Sequence, residues 1–359
     1  MNEKRIEQLS RIVIKGYKSI KECVIDLKNI NVLIGANGAG KSNFISIFEM
    51  LNKFLSRELA FYAGKKGIVP LLYNGKAVTD SISTEFHYGS TLYAFDLERT
   101  DSDNLIFREE RLERDDSTWR DGGYKETELW NAIDIGFIDP IDLPEKRPII
   151  YQFHDTSPSS RIKSENSIAN SDRLISDARN LAAFLYMLKQ AFPKEYRNIL
   201  STILLVASFF DVFVLKPKEL NEEQILLKWK KKDCEDIFNA AQFSDGTLRF
   251  ICLATLLLQP TKLQPSTIII DEPELGLHPF AITILAEMVQ KAAVSKQVIL
   301  STQSVDLLDN FEVEDVIVVD NGENGSEFKR LSEEQLKLWL DNDYSLGELW
   351  SKNILGGRP

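Results

Sequence analysis

The sequence predicts an α/β protein: a layered core with a β-rich N-terminal lobe and a short helical arm inserted between the two halves of that core. Three observations predict it. An apolar strand, Asn31–Ile34, runs into a glycine-rich loop and then into a helix-forming run from Lys41. A second apolar strand, Thr267–Asp271, ends in adjacent acids. More than two hundred residues lie between them, enough for an inserted lobe if the two halves fold back together.

The elements follow in order. Residues 11–34 alternate and then turn apolar, which predicts two or three strands with tight turns. A helix is predicted from Lys41 to about Leu55. Residues 80–115 alternate with period two, with Gly89–Ser90 at a turn, and predict a strand meander. Residues 115–147 are polar and predict loops, residues 148–154 a short strand, and the Ser/Asn/Pro-rich stretch 155–170 a loop. Helical periodicity covers 171–190, and Pro193 starts a second helix to about Ser208. Residues 211–232 predict two strands. The second half predicts a helix Asp245–Leu258, a strand Thr267–Asp271, a helix 279–293 and a strand Gln297–Thr302. A short helix near Val305–Asn310 and a strand Asp315–Val319 complete it. The expected units are 1–154, the first half of the core with its meander; 155–235, the inserted lobe; 236–330, the second half; and 331–359, a helical tail.

The chain has 359 residues, 43% hydrophobic and 27% charged, values that permit a sizeable core. Its formal net charge is −11. That balance argues against a dedicated DNA binder, whose affinity comes largely from phosphate neutralisation, without excluding a local basic groove. Three cysteines with no CxxC pair predict no disulfide framework. Three scattered histidines predict no metal cluster. The opening MNEKRIEQLSRIVIKGYKSI lacks the apolar run of a secretory leader, and no run of about 18 apolar residues occurs. These features predict a cytoplasmic protein with no membrane partner.

Three motifs carry chemistry. Gly35-Ala36-Asn37-Gly38-Ala39-Gly40-Lys41-Ser42 fits GxxxxGK[ST] between a strand and a helix. Its glycines let backbone N–H groups wrap phosphates, and the helix N-terminus favours anions. Lys41 suits the β and γ phosphates of ATP, and the Ser42 hydroxyl suits Mg2+. In Thr267–Glu274, Asp271 at the strand end suits Mg2+, and Glu272 beyond it suits deprotonation of an attacking water. Phe243-Ser244-Asp245-Gly246-Thr247 precedes an apolar helix. Ser244 is a natural N-cap there, and with Gly246 it exposes a helix N-terminus to phosphate. A plain capped helix would read the same from that segment alone.

The order of these motifs resembles the RecF/SMC-like branch of ABC-type P-loop ATPases, as does the opening IVIKGYKSI…NVLIGANGAGKSNF. More narrowly, YQFHDTS, DARNLAAFLYMLKQ and YSLGELWSKNILGGRP resemble a bacterial group of RecF-like AAA-annotated ATPases, often encoded beside a small partner protein. The resemblance implies that Gly35, Asn37, Gly38, Ala39, Gly40, Lys41, Ser42 and Asn43 hold ATP. It implies that Ser42 and Asp271 hold Mg2+ and that Glu272 and Lys41 are catalytic. Ser244 and Gly246 would serve the partner subunit's nucleotide in a head-to-tail homodimer, and Leu275–Pro279 would cross the interface. The family often has His at the switch after the next strand. Here the residues are Ser301-Thr302-Gln303-Ser304, so Gln303 is the candidate, able to donate a hydrogen bond to the γ-phosphate but not to titrate near pH 7. This departure predicts slow turnover. Gln152, with His154 beside it, is a candidate for the metal-contacting glutamine loop, and a strand-end role fits it equally. Lys18 and Ser19 resemble positions bordering adenine. Phe184, Leu185 and Leu188 read as helix core.

The function expected is an ATP-hydrolysing, ATP-dimerised regulator of a separately encoded effector in antiphage defence. Alternatives are a DNA-repair or DNA-binding machine and, further off, a transporter motor subunit. The run Lys228–Lys232 around Trp229 is the feature that suits DNA, although a solvated strand face explains it as well.

Overall fold

The computed structural model of the protein describes residues 8–134 and 147–357. The first half holds β1 (Leu9–Tyr17), β2 (Ile20–Asp26), β3 (Ile30–Ile34), α1 (Lys41–Leu55) and α2 (Leu59–Lys66). It continues with β4 (Ser81–Tyr88), β5 (Thr91–Arg99), β6 (Leu105–Arg114), β7 (Ser117–Asp121), α3 (Leu129–Asp134) and β8 (Ile149–Tyr151). The middle holds β9 (Asn166–Ser167), α4 (Leu181–Ala191), α5 (Pro193–Val206), β10 (Phe210–Phe213), β11 (Pro217–Lys218), β12 (Asn221–Ile225), β13 (Lys228–Lys231) and β14 (Ile237–Asn239). The last part holds α6 (Asp245–Leu258), β15 (Thr267–Asp271), α7 (Pro279–Ala293), β16 (Gln297–Thr302), α8 (Val305–Leu308), β17 (Val316–Gly322), β18 (Gly325–Arg330), α9 (Glu333–Leu340) and α10 (Leu346–Ser351).

Two six-stranded sheets carry the molecule. One is antiparallel, in the order β2-β1-β4-β5-β6-β7. The other runs β18-β17-β3-β16-β15-β8, parallel from β17 to β8 with β18 antiparallel at the edge. Strands β3 and β15, far apart in sequence, are thus separated only by β16.

The parallel sheet is buried on both faces, which is why its strands read as continuous apolar runs. Side chains still alternate. Val32, Ile34, Ile268, Ile270, Val298 and Leu300 join a core with α4 to α8 and α10. Leu33, Ile269, Ile299, Ile317 and Val319 point to the other side and pack with α1 and the antiparallel sheet.

The predicted helix over 171–190 starts later, at Leu181. Asn180 explains the delay. Its side chain accepts from the Ile175 N–H at 3.0 Å and donates to Asn170 and Arg173 carbonyls, holding residues 170–180 in turns. The helical arm lies folded against the core: Phe184, Leu185, Leu188, Ile199 and Ile203 are fully buried in it. Of the expected polar excursion 115–147, residues 117–121 form β7 and 129–134 form α3, and 135–146 lie outside the described residues. Among the described residues, no helix is long and apolar enough to cross a membrane.

Candidate functional site

The C-terminal ends of β3, β15 and β16 converge, and the loops leaving them bear the singled-out residues. The loop after β3 is walled from behind by the β17–β18 hairpin. Gly35 has φ +154, and any Cβ there would overlap the Val319 carbonyl oxygen. Gly40 has φ +123, and a Cβ there would overlap Ser326. Gly40 also occupies the N-cap of α1 and offers no side chain, so the helix's first N–H groups have no capping partner of their own. Ser42 is exposed at this helix start, whereas Asn43 donates to Ser19 Oγ at 2.7 Å. Lys18 reaches Ser46 Oγ at 2.6 Å, so both residues of the Lys18–Ser19 turn lie against α1.

Lys41 is 5% exposed and its ammonium folds back on its own loop, to Gly35 O at 2.5 Å and Ala36 O at 3.1 Å. Burial pulls its pKa below the usual lysine value, opposed by the nearby carboxylates of Glu272, Asp271 and Glu274.

Asp271 ends β15 in register with Ser301 of β16, whose hydroxyl donates to Asp271 Oδ1. Glu272 follows with φ +45, a left-handed conformation that a side chain adopts at a cost of about 1 kcal/mol or more. Its N–H still donates to Ser301 O at 2.9 Å. The strained turn brings the Glu272 carboxylate to Gln303, whose Nε2 donates to Glu272 Oε1 at 2.6 Å and to Asn37 Oδ1 at 2.7 Å. One amide therefore bridges the acid and the glycine-rich loop after β3.

Glu274 is a residue that sequence reasoning missed. It is 8% exposed, and its Oε1 accepts from Thr302 Oγ1 at 2.6 Å and from the Gln303 N–H at 3.0 Å. Its Oε2 is buried without a partner. Burial raises its pKa above the usual carboxylate value despite those two hydrogen bonds. The signal available was a third acid within four residues of Asp271.

Ser244 caps α6, its Oγ accepting from the Thr247 N–H at 3.2 Å. A Cβ on Gly246 would overlap the Gly276 carbonyl oxygen, so the first turn of α6 and the loop after Glu274 touch backbone to backbone. Arg249, also missed, ties α6 to two loops: Nη1 donates to Leu275 O at 2.9 Å and Nη2 to His154 O at 3.0 Å. Gln152 follows Tyr151, which pairs with Ile270, so Gln152 stands beside the end of β15 with its side chain exposed. The structure thus joins Lys41, Asn37, Asp271, Glu272 and Gln303. Among the described residues, no hydrogen bond joins Ser244 or Gly246 to the glycine-rich loop after β3. A cavity of ≈ 230 Å³ between α2 and the start of β6 includes none of these residues.

With this geometry in place, a family model described as "AAA domain, putative AbiEii toxin, Type IV TA system" matches residues 30–309, most of the chain. The chain belongs to this AAA-domain family. No curated protein matches it at a significant level. Among solved structures, it is similar to an Smc head bound to the C-winged helix domain of ScpA, with 18% identity, TM-score 0.55, and 92% of this chain and 99% of that chain covered. It is also similar to an Smc head domain with an extended coiled coil, bound to the C-terminal domain of ScpA derived from Pyrococcus furiosus. That pair has 16% identity and TM-score 0.57, covering 94% of this chain and 99% of that one. At such identities the likeness shows fold, and the fold of this AAA-domain protein is that of an ABC-type P-loop ATPase.

The residues fit a nucleotide and a divalent cation. The uncapped N–H groups of α1 suit phosphate oxygens. Exposed Ser42 and the Asp271 carboxylate supply hard oxygen donors of the kind Mg2+ takes.

Proposed function

We propose that this protein binds and hydrolyses ATP with Mg2+ as a RecF-like ABC ATPase, closes as a head-to-tail homodimer around two nucleotides, and through closure regulates a separately encoded effector in antiphage defence. The observation that carries the ATPase reading is the Gln303 bridge between Glu272 and Asn37. This bridge supports Glu272 as a general base acting beside the phosphate loop, because plain structural packing does not require it. Lys41 supplies fixed positive charge, and Gly35, Asn37, Gly38, Ala39, Gly40, Lys41, Ser42 and Asn43 form the cradle. Ser42 and Asp271 are the Mg2+ ligands. Bound Mg2+ supplies charge neutralisation on the phosphates. Glu272 accepts the proton of the attacking water. Gln303 orients Glu272, and without a titrating switch group turnover is slow.

The dimer reading is supported by the loop after β15. Leu275 is 40% exposed and Phe280 51% exposed, and both flank the backbone contact between Gly276 and Gly246. Ser244 and Gly246 are the residues assigned to the partner's nucleotide. The effector reading is supported by the family description, which names a putative AbiEii toxin and a Type IV TA system. The Smc heads in the similar structures are themselves bound to a second protein. Cytoplasmic location and the unit boundaries 1–154, 155–235, 236–330 and 331–359 belong to the same proposal.

A DNA-binding machine is the second reading. Lys228 and Lys231 on β13 and Lys232 after it are exposed, with Trp229 turned inward. Asp233, Glu235 and Asp236 sit beside them, which weakens the patch.

Glu272→Gln tests the proposal. Light scattering of this variant with saturating ATP and Mg2+ is expected to show a dimer, and ATP turnover is expected to fall at least ~100-fold. Pull-down from native cells in ATP is expected to recover a stoichiometric small protein. A chain that stays monomeric defeats the dimer model, and recovery of only DNA and repair factors favours the second reading.

A further inference from the structure

The segment Ser345–Gly357 runs behind the candidate site and touches both of its sides. It opens with α10, capped reciprocally by Ser345 and Glu348. The Gly347 N–H donates to Asp309 Oδ1 at 2.6 Å, just past α8, and a Cβ on Gly347 would overlap Val305 of α8. Helix α8 starts directly after Gln303, with Ser304 as its N-cap. One end of the segment is therefore fastened to the helix that follows the switch glutamine.

The other end is fastened to the phosphate loop. Trp350 is fully buried and donates its indole N–H to Gly357 O at 2.8 Å. The Gly357 N–H donates to Asp320 Oδ2 at 3.2 Å. Asp320 follows Val319, whose carbonyl is the wall behind Gly35. Gly357 has φ +59, and a Cβ there would lie 2.9 Å from Val318 Cγ1, 3.2 Å from Val319 O and 3.3 Å from Gly35 Cα. No larger residue fits between the segment and the first residue of the phosphate loop without moving one of them.

We propose that Ser345–Gly357 is a strap that positions the phosphate loop relative to the switch helix, with Gly357 and Asp320 as positioning residues for nucleotide binding. The inference rests on the reading of that loop as the ATP site. Phosphate affinity depends on backbone N–H groups already aimed at the ligand. A loop displaced by a fraction of an ångström binds the same phosphates more weakly, because binding must restore its geometry. The strap meets Gly35 at its Cα, beside the Val319 carbonyl that walls it.

A matched pair of variants tests the strap. Gly356 and Gly357 both have positive φ, so alanine strains the backbone at either. Only Gly357 approaches Gly35; a Cβ on Gly356 would meet nothing nearer than 3.6 Å. Titration calorimetry of the full chain with ATP and Mg2+ is expected to show Kd raised about tenfold by Gly357→Ala and less than about threefold by Gly356→Ala. Turnover at saturating ATP is expected to stay near wild type in both, a split that general destabilisation would not produce. Should Gly357→Ala fold poorly, Asp320→Ala removes the acceptor of the Gly357 N–H from an exposed position and is expected to raise Kd several-fold. Equal Kd changes for the two glycine variants, or an unchanged Kd in Asp320→Ala, overturn the strap. No ATP binding by the wild-type chain overturns the ATP-site reading, and the strap with it.

Discussion

Gln303 holds a position where a titrating group would link turnover to pH. Its amide instead fixes Glu272 Oε1 at 2.6 Å and Asn37 Oδ1 at 2.7 Å at once. Removing it frees a carboxylate already held in a strained backbone. Gln303→Ala is expected to lower kcat by about 10- to 100-fold while leaving the ATP Kd within about threefold, measured by turnover and calorimetry. An equal loss in both quantities would assign Gln303 to binding instead. Glu274 acts one step further back, through the Thr302 hydroxyl and the Gln303 N–H. Its folded-state pKa is raised, so the fold prefers the protonated acid. The stability contribution is present below the unfolded carboxylate value and is lost as pH rises through the folded one. Glu274→Gln keeps an acceptor oxygen and removes the charge. The variant is expected to melt about 1–3 °C above wild type at pH 8, with the gap closing toward pH 4. A gap that widens toward acid would show that the ionised carboxylate stabilises the fold. Asp271, Glu272 and Glu274 look alike in sequence. What separates them is tertiary: one is bonded by a neighbouring strand, one is turned out by φ +45, and one is buried under the switch loop.

At the scale of elements, those with a cap and an unbroken apolar pattern were legible. α6 begins after Ser244, α7 begins at Pro279, and β15 and β16 are runs of buried aliphatics, all with the bounds expected from sequence. The P-loop and the acid strand were legible too, because their chemistry restricts residue type. Harder to read was β18, whose polar sequence Gly-Ser-Glu-Phe-Lys-Arg carries little strand signal. It nevertheless supplies Ser326, which bonds Ser19 at 2.7 Å and walls Gly40. Nor does sequence show that the α6 start abuts the loop after β15. That contact allows no side chain at Gly246, since the Gly276 carbonyl fills the space. Gly246→Ala must push one of two loops that the dimer proposal places at the interface. The expected outcome is loss of ATP-driven dimerisation in light scattering, with ATP binding by the monomer within about threefold of wild type. Normal dimerisation would show that the two loops can separate freely and would place the interface elsewhere.

The whole molecule sets a constraint that no single motif reveals. Each chain carries a formal charge of −11. Closing two copies around two nucleotides brings like charge together, so attraction has to come from local contacts: phosphates on helix N-termini, and apolar side chains such as Leu275 and Phe280. Such contacts act at short range and depend little on salt. The repulsion between the two bodies acts over longer distances, and the Debye length shortens from about 14 Å at 50 mM to about 7 Å at 200 mM ionic strength. Salt should therefore remove more repulsion than attraction. DNA binding behaves the opposite way, because salt competes with every phosphate contact and affinity falls by orders of magnitude over the same range. The two functional readings thus differ in the sign of one slope. For Glu272→Gln with saturating ATP and Mg2+, sedimentation is expected to show a dimer dissociation constant that stays level or falls by a few-fold between 50 and 200 mM salt. A dissociation constant that climbs steeply would mean that complementary charge builds the interface. Duplex binding that appears only with ATP and collapses over this range would mean that the closed dimer presents a basic groove, with β13 the first place to look for it.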